Sequence, residues 1–110
     1  MHALAALAIA LSGLHGTVSK GPITPVCRVG QPCSGPAHVT LIFRRTIGAT
    51  RVYRTRTTTA GTYRITLPAG YYTVTTAERI GIDRMIRPQR VHVRAGYNDK
   101  LDFRIDTGIR

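Results

Sequence analysis

The chain has 110 residues, enough for one core and too few for a two-domain enzyme. Sixteen Lys+Arg against five Asp+Glu give a formal net charge of +11, while 43% hydrophobic and 19% charged residues exclude a disordered basic tail. Eight basic residues and no acid lie between Met1 and Ala77, whereas all five acids, Glu78, Asp83, Asp99, Asp102 and Asp106, follow. The first strands are therefore expected to be the electropositive part. Fourteen of the sixteen cations are arginine, whose planar fork matches carboxylate, sulfate or phosphate. Net charge also serves solubility, and GC-rich coding also enriches arginine, so the placement of the arginines decides whether they form a site.

Residues 3–11, ALAALAIAL, form an uncharged apolar run that fits a secretory signal segment and is far shorter than the ~20 residues of a membrane span. Ala10 and Ser12 supply the small residues that a cut before Gly13 requires, although only Met1 and His2 precede the run where a positive region is usual. Residues 1–12 are thus expected to be a signal and 13–110 one domain. The alternative is a short apolar helix packed on the domain, for which no cap or amphipathic pattern is present.

A Pro/Cys-rich loop follows at 21–36. Cys27 and Cys33, the only cysteines, lie in PVCRVGQPCSGP, where Pro25, Pro32 and Pro36 exclude a helix. A disulfide closing this ring contributes about 2 kcal/mol in the chain-entropy model and requires an oxidising compartment. Metal binding by Cys27, Cys33 and His38 matches no zinc spacing and has no fourth ligand nearby, and five intervening residues are not the spacing of a redox pair.

Beyond Gly35 the period is two. Val39, Leu41 and Phe43 alternate with His38, Thr40 and Arg44; Tyr63, Ile65 and Leu67 alternate with Arg64 and Thr66; Val91 and Val93 alternate with Arg90, His92 and Arg94; Leu101, Phe103 and Ile105 complete the set. Turn signals fall at 47–49, 58–61, 67–70, 79–83 and 95–100, leaving short strands at the spacing of an antiparallel sandwich. Between Arg51 and Arg56 either choice of face turns an arginine inward; Arg54 and Arg56 are expected to point out. A hairpin centred on Asn98 would set Val93 against Phe103 and Val91 against Ile105 inside, with Arg94 against Asp102 and Arg90 against Asp106 outside. Glu78, Asp83 and Asp99 are then loop residues, and Arg44, Arg45, Arg51, Arg54, Arg56 and Arg64 form an unpaired excess.

The run TRTTTAGTYRITLPAGYYTV from Thr55 to Val74 resembles the signature of carboxypeptidase regulatory-like domains, carried here by Gly61, Tyr63, Leu67, Pro68, Gly70, Tyr72 and Val74. The resemblance places Val18 in the family's opening strand, which carries Gly-x-Val, and Val39 onward in the strand that usually carries Ala-x-Val. GPITPVCRVGQPCSGP and the ending DTGIR are similar to those of small secreted bacterial members. The resemblance spans roughly residues 14 to 106 and implies an all-β, antiparallel Greek-key β-sandwich of about seven strands with a prealbumin-like fold. Thr58 stands where the family has a turn aspartate, so a weaker hydroxyl contact must make that turn. Independently of any family, Gly61 and Gly70 suit tight reversals, and Tyr72 is placed to bury its ring while its hydroxyl reaches a backbone group.

No motif here carries a reaction. Ser12, Ser19 and Ser34 have no Gly-x-Ser-x-Gly setting, no glycine-rich phosphate loop precedes a helix, and His2, His15, His38 and His92 are scattered, the last two on outward strand phases. No cofactor, metal or catalytic residue is expected. The leading expectation is a non-catalytic exported module, secreted, periplasmic or at the cell surface, with a structural or accessory role. The alternative is a binding module for acidic polymers, such as a surface polyanion, acidic polysaccharide or extracellular nucleic acid, using Arg44, Arg54, Arg56 and Arg64. Another exported protein is a further candidate partner. Sequence-specific nucleic-acid recognition is disfavoured, because the tyrosines are claimed by turns and core and no stacking platform is evident among the arginines. Clustering of the four arginines on one face would favour binding, and dispersal the structural role.

Overall fold

The computed structural model describes residues 12–22, 30, 33–78 and 85–106. These form ten strands and no helix: β1 (Gly13–Gly21), β2 (Gly35–Pro36), β3 (Thr40–Arg45), β4 (Val52–Arg56), β5 (Thr62–Thr66), β6 (Gly70–Thr76), β7 (Met85–Arg87), β8 (Arg90–Val93), β9 (Asn98–Lys100) and β10 (Phe103–Asp106). The count exceeds the expected seven because several are two- or three-residue pieces. The chain is all-β and two-layered, as the alternation implies. No helix among the described residues is long and apolar enough to cross a membrane.

One sheet has the order β4-β3-β6-β8 and is antiparallel throughout. The other is built around β1 and is mixed, which corrects the expectation of a purely antiparallel sandwich. The first half of β1 pairs β5 antiparallel and β9 parallel; its second half pairs β2 antiparallel and β10 parallel, with β7 beyond β10. Gly16 lies at this change of partners. A Cβ there would approach the Leu101 carbonyl oxygen to 2.3 Å, so only glycine lets the strand interruption at Leu101–Asp102 lie against it.

The expected hairpin between β8 and β10 does not form. β8 ends the antiparallel sheet while β9 and β10 cross to β1, so Val93 and Phe103, both buried, come from opposite layers. Alternation buries those residues equally well in either arrangement. Arg94 consequently pairs Asp99 at 2.7 Å instead of Asp102, which pairs Lys100 at 3.7 Å and accepts the Thr17 backbone N–H at 2.9 Å. Arg90 and Asp106 lie on different sheets. Glu78 lies in the loop after β6, as expected, and pairs Arg56 at 3.0 Å, whereas Asp99, expected in a loop, lies in β9 because that segment pairs with β1.

Leu14, Val18, Leu41, Phe43, Val93 and Ile105 belong to the buried core between the sheets. Phe43 meets Phe103 edge to face across the layers, with ring centroids 6.2 Å apart, and Tyr63 packs on Phe103 from 5.5 Å. Val39, Tyr63, Leu67, Tyr72 and Val74 are buried with them. Thr57 is a buried polar residue. Its hydroxyl accepts the Val39 N–H at 2.7 Å and donates to the Ala37 carbonyl at 2.6 Å, tying the chain before β3 to the end of β4. Thr58 makes the turn contact expected of a hydroxyl, accepting the Thr62 N–H at 3.1 Å. Gly61, with φ 83°, closes that turn and donates its N–H to the Thr58 carbonyl.

Ser12 is part of this fabric. Its hydroxyl donates to the Leu67 carbonyl and its own carbonyl accepts the Leu67 N–H at 3.0 Å, so a cut before Gly13 would remove both contacts. Residues 1–11, Cys27 and the 79–83 turn lie outside the described residues, and no described cysteine is free.

Candidate functional site

The register of β4, β3, β6 and β8 determines which side chains share the solvent face of that sheet, because directly paired residues point the same way. Arg56 lies beside Thr40. Next come Arg54, Ile42 and Thr75. The third row is Val52, Arg44, Thr73 and Arg90, and Tyr71 beside His92 stands beyond it. The inward residues of these strands, Leu41, Phe43, Tyr72, Val74, Val91 and Val93, are buried, and that leaves Arg44, Arg54, Arg56 and Arg90 the outer face.

Three of the four anticipated residues, Arg44, Arg54 and Arg56, therefore share one face, and Arg90 joins them. Arg64 does not. It lies on β5 opposite His15, on the outer face of the other sheet. Both placements satisfy period two, and only the pairing of β5 with β1 separates them. Arg54 and Arg56 point outward as expected.

Arg56 is held in place. Its guanidinium donates to Glu78 at 3.0 Å, to the Thr40 hydroxyl at 3.1 Å and to His38 at 3.2 Å. Burial pushes the Glu78 carboxyl up, but the Thr40 N–H, the Thr40 hydroxyl and Arg56 outweigh it and hold the group below the ordinary carboxylate range. Arg44, Arg54 and Arg90 are exposed, and none has a carboxylate within ion-pair distance among the described residues. Strand spacing puts Arg44 and Arg90, two strands apart in one row, about 10 Å from each other at the backbone. Their mutual repulsion through water is only about 0.4 kcal/mol, small enough for the fold to tolerate and available to be relieved by an anion spanning both.

One end of the face carries a feature that sequence reading missed. The rings of Tyr71 and His92 stack with centroids 4.3 Å apart and planes 9° apart. Tyr71 remains 49% exposed. An open groove of about 570 Å³ runs here, lined by Ile47, Tyr71, Thr73, Arg90 and His92 among others. Ile47 is 64% exposed on its rim. The cross-strand pairing of β6 with β8 was the missing information, since 20 residues separate Tyr71 from His92.

Elsewhere, Arg45 occupies an inward phase of β3. It donates to the Ala69 carbonyl at 3.3 Å, and its Nε is buried without a hydrogen-bond partner. Arg94 lies over the Tyr97 ring at 4.0 Å while gripping Asp99, so it is engaged on both sides. The remaining anticipated residues, Gly61, Tyr63, Leu67, Pro68, Gly70, Tyr72 and Val74, serve turns and core. Among the described residues no three His, Cys, Asp or Glu side chains converge as metal ligands would. No family model, curated protein or solved structure matches the chain.

Proposed function

We propose that this chain is an exported, non-catalytic β-sandwich module of the carboxypeptidase regulatory-like type that binds acidic polymers through the outer face of its β4-β3-β6-β8 sheet. The observation that carries the reading is the clustering of Arg44, Arg54 and Arg90 on that face with no carboxylate partner among the described residues. A purely structural role would need no such arrangement, because solubility is served equally by dispersed charge. An open face suits a chain better than a small molecule, which is normally enclosed in a concave site. Two of the histidines support a non-catalytic role: His38 accepts from Arg56 and His15 bonds Asn98, so neither is poised beside a nucleophile.

The test is a salt titration of binding to polyphosphate, polygalacturonate and single-stranded DNA, with the wild-type chain and an Arg44→Ala, Arg54→Ala, Arg90→Ala variant. Binding to at least one polymer at physiological salt, lost in the variant while the melting temperature holds, is the expected result. Disappearance of all wild-type binding as salt rises would leave the charge as a solubility feature and the structural role in its place.

A further inference from the structure

The arginine face does not end in arginines. Its last row is an aromatic pair, and the row before it holds two guanidiniums with a threonine between them. We infer that the acidic polymer is a polysaccharide whose sugar rings bear carboxylate or sulfate groups, with one ring seated against Tyr71 in the groove and its acidic group reached by Arg44 and Arg90. The inference rests on the polymer-binding reading and specifies the class of polymer.

Three observations support it. First, Tyr71 is stacked on one side by His92, and yet half its surface faces solvent beside the exposed Ile47. A stacked, exposed ring offers apolar contact at little cost in side-chain freedom. Second, the hydroxyls of Thr73 and Thr75 face outward among the guanidiniums and make no hydrogen bond within the described structure. A polyhydroxylated chain can both accept from and donate to these hydroxyls, whereas a bare polyanion can only accept from them. Third, among the described residues the face carries one aromatic platform. Proteins that hold single-stranded nucleic acid stack successive bases on successive aromatic rings along the track, and here the positions further along are arginine, threonine and Ile42.

The experiment compares polygalacturonate, ring-free polyphosphate and oligothymidylate of matched total charge, titrated calorimetrically into the full chain at physiological salt. Tyr71→Ala is expected to weaken polygalacturonate binding about fivefold to tenfold, the worth of one aromatic contact, and to leave polyphosphate binding within about twofold. Tyr71→Phe should keep the ring contact and bind polygalacturonate as the wild type does, which also separates loss of the ring from a folding defect. Arg44→Ala and Arg90→Ala should weaken binding to all three polymers. Equal loss of both polymers in Tyr71→Ala, or no loss of either, overturns the ring subsite. Tighter wild-type binding of oligothymidylate than of polygalacturonate overturns the polysaccharide assignment while preserving polymer binding. If none of the three binds, the polymer reading fails and this inference with it.

Discussion

Tyr72 and Pro68 are joined across the turn into β6: the phenol ring is buried between the sheets, and its hydroxyl donates to the Pro68 carbonyl at 2.7 Å. The bond satisfies a backbone acceptor in the turn while Tyr53 packs edge to face on the same ring, centroids 6.0 Å apart. Burial foremost, and Tyr53 next, push the phenol pKa up, with Arg45 opposing, so the hydroxyl stays protonated and remains a donor. Tyr72→Phe should therefore keep the fold and lower stability by about 1 kcal/mol, the net worth of one such bond. Tyr72→Ala should cost about 3 to 5 kcal/mol through the cavity it leaves. Urea unfolding of both variants measures the difference, and equal losses would show that packing alone matters.

Thr57 carries more than its size suggests. Thr57→Val preserves shape but leaves the Val39 N–H and the Ala37 carbonyl without the hydroxyl between them. A loss of about 2 to 4 kcal/mol is expected, while Thr57→Ser should retain most of the stability. Equilibrium unfolding that ranks serine no better than valine would refute the hydrogen-bond account.

Gly61 has a double constraint. Its φ of 83° disfavours any side chain, and a Cβ there would approach the Val18 carbonyl oxygen to 2.7 Å. Gly61→Ala should cost about 2 kcal/mol or more, read as a fall in melting temperature.

Acid should loosen the molecule in a defined direction. Asp99 is held below the ordinary carboxylate range chiefly by its hydrogen bond from Arg94, Asp102 chiefly by the Thr17 N–H, and Glu78 by the donors that outweigh its burial. A depressed folded-state pKa contributes stability that is fully present above the unfolded value, about 4 for these groups, and is lost as pH falls through the folded value. Melting temperature should thus be flat from neutrality to about pH 5 and decline below about pH 4. Glu78→Gln should shallow the decline, and an unchanged slope would remove Glu78 from the account.

The proposed Cys27–Cys33 disulfide has its own test. Changing both residues to serine should lower stability by about 2 kcal/mol without abolishing the fold. Equal melting temperatures for the oxidised wild type and the double variant would sink the disulfide.

Much of the architecture is local in origin. Alternation determines which side chains are buried, and Val39, Leu41, Phe43, Tyr63, Ile65, Leu67, Val91 and Val93 all belong to the core. The turn at Thr58–Gly61 and the Tyr72 corner depend on residues within four positions of each other, so the chain's own chemistry specifies them. The outward phase of Arg54 and Arg56 follows from the same period of two.

What the period cannot carry is the identity of a strand's neighbour. Val91–Val93 and Phe103–Ile105 bury the same faces whether they pair with each other or, as here, with β6 and β1. The pairing of Arg94 with Asp99, the separation of Arg64 from Arg44 and Arg54, and the meeting of Tyr71 with His92 all turn on that choice. Hydrogen bonding between strands is a long-range match of backbone donors and acceptors that any sequence can offer. Sequence alone therefore determined which residues face solvent, and tertiary pairing alone decided which of them stand together.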